Sequence, residues 1–279
     1  MTKISAVRLY VCAGLALVLV LAAAPARAQY RPRPVSTPAT GEAYHIEIGA
    51  GLWIPTADAS ISSESLGIPG TTIDFKNDLG LTDQRFPEFQ LVLKATNRNK
   101  LRAQYIPIKF DQSSTITRDI VFNGQRYTVG LPVTSALDWK AYRFGYELDV
   151  ISRDRGFAGL LLDVKYTDVQ ANLTSGALAE FTHAQAPIPA IGGIVRVYVV
   201  SNLSLTGEVS GFDVKWLPDS ITKGNTGHYT DIDLYGTMNF TKNFGVQAGY
   251  RSFDVGYLVK TDSGNFTLKG LYFGAVARY

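Results

Sequence analysis

The stretch His228-Tyr229-Thr230-Asp231-Ile232-Asp233 gathers an imidazole and two carboxylates within six residues. On an extended chain alternate side chains share a face, so Asp231 and Asp233 lie side by side. Such a set is what hydrolysis needs to hold a water and take its proton. The plainer reading is a histidine beside solvated or salt-bridged carboxylates. It has the stronger case, because no second acidic pair accompanies the first. His45 stands near the start of the first alternating segment, and His183 lies in THAQAP with no serine next to it to act as a nucleophile. No metal-ligand spacing, phosphate loop or dinucleotide fingerprint is found. Gly49-Ala50-Gly51 sits inside an alternating segment, where glycine makes room for neighbours. The expectation is a protein that is not an enzyme and carries no cofactor or metal.

A broader ionisable set recurs at every second position of otherwise apolar segments. Glu47, Glu88, Glu147, Asp163, Glu208 and Asp233 stand against Lys94, Arg102, Arg143, Lys165, Arg196, Arg251 and Arg278. Strands must position them. Alternation begins near residue 44 and divides into about ten strands, with eight or twelve as alternatives: 44–55, 85–96, 99–111, 136–151, 156–171, 187–200, 202–215, 229–241, 243–259 and 266–279. Helical periodicity is missing, save that DFKNDLGLTDQ (Asp74 to Gln84) has room for one turn. Minimal connections (96–99, 152–155, 201–202, 241–243) alternate with longer ones (56–84, 112–135, 172–186, 216–228, 260–265). An up-and-down barrel with tight turns at one end gives that pattern, whereas Greek-key crossovers mix the lengths. Asn123-Gly124 between two alternating runs signals a hairpin inside 112–135, and the third and fourth strands are expected to continue outward as a ribbon.

The ends of the chain carry their own signals. Lys3 and Arg8, the apolar run Leu9 to Ala24 and then Ala26-Arg27-Ala28 form a leader expected to be cut after residue 28. A membrane-anchor helix is the competing reading. A lipoprotein anchor at Cys12 is disfavoured by Val11 before it. Residues 29–42 are proline-rich and are expected to be an extended periplasmic lead-in, leaving 43–279 for the barrel. The chain has 27 basic and 24 acidic residues, and Lys3, Arg8 and Arg27 leave with the leader, so the remainder holds 24 of each sign. That balance argues against a nucleic-acid surface. Cys12 is the sole cysteine of the sequence, so no disulfide staples the fold.

Each strand has one apolar face and one charged, glycine-rich face. A soluble barrel or sandwich would turn its grease inward, and alternation alone does not separate the two. Three features favour a transmembrane barrel with its apolar face outward. The polar face is crowded with glycine, the apolar face is uniform, and the last strand ends without edge protection unless it closes on the first. An open edge in hydrocarbon would cost several kcal/mol per unpaired backbone group. Inside a narrow barrel the charges must pair. A network that plugs the lumen and fixes register is the first reading; the lining of a thin hydrated pore is the second.

The final strand, with Leu271, Phe273, Ala275, Ala277 and Tyr279 alternating to a terminal aromatic, is similar to the signal read by the barrel-assembly machinery of Gram-negative bacteria. Residues 43–279 as a whole resemble the small outer-membrane β-barrel superfamily that includes OmpA- and OmpW-type barrels, most closely in GYRSFDVGY (Gly249 to Tyr257). The resemblance implies a closed all-β transmembrane barrel in the outer membrane, with short periplasmic turns and long extracellular loops. Its partners would be outer-membrane lipid and the assembly machinery, with surface ligands met through 56–84 and 112–135. The roles implied are envelope structure or surface interaction, with narrow porin-like passage as the alternative. Omptin proteases also place Asp and His at a barrel rim, which makes 228–233 an omptin-like motif lacking its second acidic pair. The His-x-Ser pattern of lipid A deacylases is not matched at His183.

Overall fold

Side chains that alternate with period two demand a wall with two different environments, and a closed sheet supplies one. The computed structural model describes residues 39–62, 64, 70–122, 124–175, 178–222, 224–259 and 262–279. The expected leader (1–28), most of the lead-in and Asn123 lie outside the described residues. The strands are β1 (Ile46–Ser62), β2 (Ile73–Asp74), β3 (Phe86–Lys94), β4 (Asn99–Thr115), β5 (Ile120–Phe122), β6 (Gln125–Tyr127), β7 (Pro132–Arg153), β8 (Gly156–Ser175), β9 (Leu178–Val200), β10 (Leu203–Asp213), β11 (Thr226–Asn239), β12 (Phe244–Val259) and β13 (Asp262–Arg278). Ten of them form an antiparallel up-and-down barrel in the order β1-β3-β4-β7-β8-β9-β10-β11-β12-β13. β13 returns to β1 from Glu47↔Arg278 to Ser62↔Ser263. The Tyr279 carbonyl accepts from the His45 and Ile46 amides at 2.7 and 2.9 Å, which completes the seam.

The outer surface matches the expected grease in one half of the barrel and departs from it in the other. On β1, Ile46, Ile48, Ala50, Leu52 and Ile54 face out; above them come Thr56, Asp58 and Ser60. β7 repeats this with Leu148, Tyr146, Phe144 and Tyr142, then Lys140 and Asp138; β13 does so with Ala277, Ala275, Phe273 and Leu271, then Lys269 and Thr267. Nine residues at about 3.3 Å each, tilted by about 40°, cover roughly 20 Å, close to the apolar band of an outer-membrane barrel. The interior inverts at the same level. Charged side chains fill the tight-turn half, whereas Trp53, Ile61, Ile106, Phe110, Leu137, Trp139 and Phe266 fill the other half as a buried apolar cluster. One face per strand was expected to stay polar throughout. Instead the barrel rises out of the bilayer, and above the belt it obeys the rule of a soluble barrel.

The inversion corrects several connections. The expected loops 172–186 and 260–265 are largely strand: β8 runs to Ser175 and β9 starts at Leu178, while β12 ends at Val259 and β13 starts at Asp262. Their alternation continues, with Ala171 and Leu173 inward against Gln170 and Asn172 outward, but with the polarity of the faces exchanged. β4 and β7 extend as a ribbon to Thr115↔Pro132. Beyond it β5 and β6 form a separate hairpin whose turn has Gly124 at φ +79°.

The segments 70–82 and 116–127 then fold back over the barrel, adding Ile73, Phe75, Leu79, Ile120 and Tyr127 to the same cluster. Residues 74–79 make the foreseen single turn, with the Asp74 carboxylate accepting from the Lys76 and Asn77 amides, both at 2.9 Å. The Arg118 guanidinium ties the two segments by donating to Asp78 Oδ1 and to the Thr72 carbonyl, each at 2.7 Å. A helical turn at Asp219–Thr222 was not foreseen.

The lead-in is also corrected at its described end. Residues 39–42 do not trail away but dock in the tight-turn mouth. The Thr40 amide donates to the Ser201 carbonyl at 2.7 Å, Asn239 Nδ2 donates to the Thr40 carbonyl at 2.7 Å, and Ala39 is buried. Gly41 turns with φ +89° where a Cβ would meet the Arg278 guanidinium. Tyr44, at the start of the first expected strand (44–55), is buried inside because β1 begins only at Ile46; Lys94 and Arg278 lie over its ring.

Candidate functional site

The inward charges of the tight-turn half belong to strands on opposite walls, and their side chains meet across the axis. Arg102 on β4 reaches Glu147 on its neighbour β7 at 3.0 Å and Glu208 on distant β10 at 2.6 Å. Arg143 on β7 joins Asp163 at 2.9 Å and also Glu208 at 3.2 Å. Lys165 on β8 pairs with Asp231 on β11 at 2.8 Å, and Arg251 on β12 holds the same carboxylate at 2.8 Å and Glu88 on β3 at 3.4 Å. Amides extend the web: Gln104 Oε1 accepts from Arg251 at 3.1 Å, and Gln90 Nε2 donates to Gln247 at 3.0 Å. Arg278 pairs with Glu47 at the seam between β13 and β1.

At the tight-turn end Arg196 pairs with Glu42 of the docked segment at 2.9 Å, and the Tyr198 hydroxyl donates to the same carboxylate at 2.7 Å. Burial alone would push the Glu42 carboxyl up, but the Arg196 charge and these hydrogen bonds leave it below its usual value.

Two residues of the expected set take other roles. Lys94 donates to the Glu42 carbonyl at 2.7 Å instead of joining a carboxylate. Asp233 has no ion pair among the described residues; the Tyr272 hydroxyl lies 3.5 Å from it. Four members of the web lie outside the expected set: Lys100, Asp149, Asp231 and Glu42. Lys100 binds both Glu147 at 2.6 Å and Asp149 at 2.9 Å. Its period-two relation to Arg102, and that of Asp149 to Glu147, carried the signal. Asp231 belongs to the expected hydrolytic cluster, and Glu42 to the expected extended lead-in, where no periodicity could reveal it.

The hydrolytic cluster does not assemble. Asp231 is buried in mid-barrel between Lys165 and Arg251, while His228 points outward and lies 3.3 Å from Asp254. His183 pairs with Asp168 at 2.7 Å on the outer surface, and His45 is exposed. No group of three or more potential metal ligands is found among the described residues.

A closed barrel with an apolar belt, aromatic residues at its edges and ionic side chains within is an integral outer-membrane β-barrel. No family model and no curated protein matches the chain. Among solved structures it is similar in fold to the outer-membrane protease OmpT from Escherichia coli, with a TM-score of 0.57 and 8% identity, over 88% of this chain and 100% of that one. Looser likenesses are to the toluene transporter TodX of Pseudomonas putida (TM-score 0.36, 8% identity, 88% of this chain and 93% of that one) and to Ail, the attachment invasion locus protein of Yersinia pestis (TM-score 0.34, 9% identity, 82% and 99%). At these identities the similarity concerns the fold and carries no activity.

Proposed function

We propose that the protein is a non-enzymatic, non-conducting outer-membrane barrel that displays a rigid β-structure at the cell surface, in an envelope-structural or surface-interaction role. The observation that carries this reading is the set of ion pairs across the axis, above all Arg102–Glu208 and Arg143–Glu208. It is backed by the apolar cluster on one side and the docked 39–42 segment on the other. Three successive obstructions leave a porin-like path little support. The outward position of His228, opposite Asp231 and Asp233, supports a non-enzymatic reading over an omptin-like one. Kinship with the OmpA/OmpW-type barrels is part of the proposal, supported by the alternating plan of turns, although ten strands exceed the usual eight of those relatives. Recognition of Leu271, Phe273, Ala275, Ala277 and Tyr279 by the assembly machinery belongs to it as well, as does ligand contact through 56–84 and 112–135.

The reading is tested by liposome swelling in small sugars and amino acids, with cleavage of fluorogenic dibasic peptides run in parallel. Neither activity should exceed that of protein-free vesicles. Swelling restores the porin-like reading, and cleavage lost in Asp231→Asn restores the omptin-like one.

A further inference from the structure

Above Ile191 the barrel wall lacks one of its seams. β9 pairs with β8 from Gly156↔Val197 to Ser175↔Leu178, but its pairing with β10 stops at Gly211↔Ile191. β10 ends at Asp213 and turns away through a 3-10 turn, Val214–Trp216. Among the described residues, 178–190 therefore present a strand edge with no partner on the β10 side. Pro187 and Pro189 lie on this edge. Proline has no N–H to give a ladder and is confined to edges and strand starts, so the sequence itself provides for an open seam here.

Behind the seam is a cavity of about 590 Å³, within the range of roughly 300–1,000 Å³ typical of small-molecule sites. Five apolar side chains that pack on the core without being fully buried, Val169, Ile188, Phe212, Val255 and Tyr257, all face it. Along this wall the core is left unfilled. Trp139 and Tyr229, packed on Phe253 at 5.0 and 5.1 Å, form the floor. Beneath them Lys165 and Arg251 begin the ionic web, so the cavity is a dead end.

Its height relative to the bilayer is marked by where the outward side chains change: on β8 Val164 and Tyr166 give way to Asp168 and Gln170, and on β9 Ile191 and Pro189 give way to Gln185 and His183. Tyr105, Tyr142 and Tyr166 form a cross-strand row on the outer surface at the top of the apolar belt, and the next residue in that row is Pro187. Trp216, 60% exposed, stands on the other side of the seam with its ring edge-on to Phe212. Tyrosine and tryptophan at this level mark the boundary between headgroups and acyl chains. The mouth thus opens where hydrocarbon begins, with His183 and His228 at the polar rim.

We propose that this cavity binds the hydrocarbon chain of an amphiphile, admitted sideways from the outer leaflet between β9 and the end of β10. The same chain could be delivered by a bilayer lipid or by an amphiphile free in the medium, and the experiment separates the two. The sequence has three tryptophans. W53F/W216F leaves Trp139 on the cavity wall, and W139F/W216F leaves Trp53, inside the barrel at belt height but off the cavity. Each variant, its folding checked by heat-dependent gel shift, is reconstituted in phosphatidylcholine brominated along its acyl chains and in the same lipid without bromine.

Trp139 should lose the larger part of its emission in the brominated bilayer while Trp53 keeps its own, and V169F in the Trp139 background should abolish the loss. Quenching of Trp139 that appears only when bromooctanoate is added to ordinary vesicles keeps the chain-binding site but overturns loading from the leaflet. Equal quenching of Trp53 and Trp139, quenching that survives V169F, or none in either arm overturns the proposal.

Discussion

Arg102 shows what each ionic residue contributes. Its guanidinium is nearly buried and bridges two carboxylates on different walls, so removing it leaves Glu147 and Glu208 without that cation in a poorly solvated lumen. Breaking one partner of a buried pair costs about 3–5 kcal/mol, whereas replacing both by apolar groups of similar volume is often neutral. Arg102→Ala should therefore lower the urea midpoint of the folded gel band markedly, and Arg102→Met with Glu208→Leu should recover part of the loss, since Arg143 then keeps Asp163 but loses Glu208. Equal losses in single and double variants would contradict a pairing role.

Asp78 gives a pH-dependent counterpart outside the membrane. The hydrogen bond from Arg118 holds its carboxyl below the usual value. A depressed folded-state pKa stabilises above the unfolded value, about 3.9 for Asp, and that contribution disappears as pH falls through the folded value. Peptic cleavage within 70–82, normalised to an unfolded peptide, should rise below about pH 4 in the wild type and be high at every pH in Asp78→Asn. At this scale most of the site could be read from period two. Lys100 and Asp149 obey the same period and were overlooked at strand ends. Glu42 follows no period, because a docked turn has none.

Strands carry the next level of the account. Their number, order and tight turns were legible because each depends on a local rule: alternation, or polar and glycine residues between runs. The outer ends of β1, β8, β9 and β13 were not. There the wall leaves the bilayer and its two faces exchange polarity, so the continuous greasy face that marks a strand stops before the strand does. Thr167, Val169 and Ala171 continue the inward register of Asp163 and Lys165 with no change of spacing. Closure is an element-scale property that depends on Gly270, where a Cβ would run into the Ile54 carbonyl oxygen across the β1–β13 seam. Gly270→Val should force the two strands apart and lower the yield of heat-modifiable barrel in detergent refolding far more than Gly193→Val, since a Cβ at Gly193 would meet only the Gly159 carbonyl oxygen, at an ordinary 3.6 Å. Equal yields would show that the seam tolerates the displacement.

On the scale of the molecule, three layers lie along one axis. The tight-turn half exposes grease and buries ions, the loop half exposes ions and buries grease, and residues 39–42 sit in the mouth below. Each layer suits its surroundings, since ions in the lumen pair with one another and apolar groups above the bilayer need a core. No one strand reports this arrangement, which emerges when the inversion level is compared around the barrel. A plugged lumen requires that the ionic layer leave no continuous water column. Single-protein recording in a planar bilayer at moderate salt, across a wide range of voltage, tests that most directly. The predicted trace is flat for the wild type, with no step above the bare membrane in either polarity. Stable, repeated unitary steps from the unmodified protein would mean that the paired side chains leave a path through, and would contradict the account.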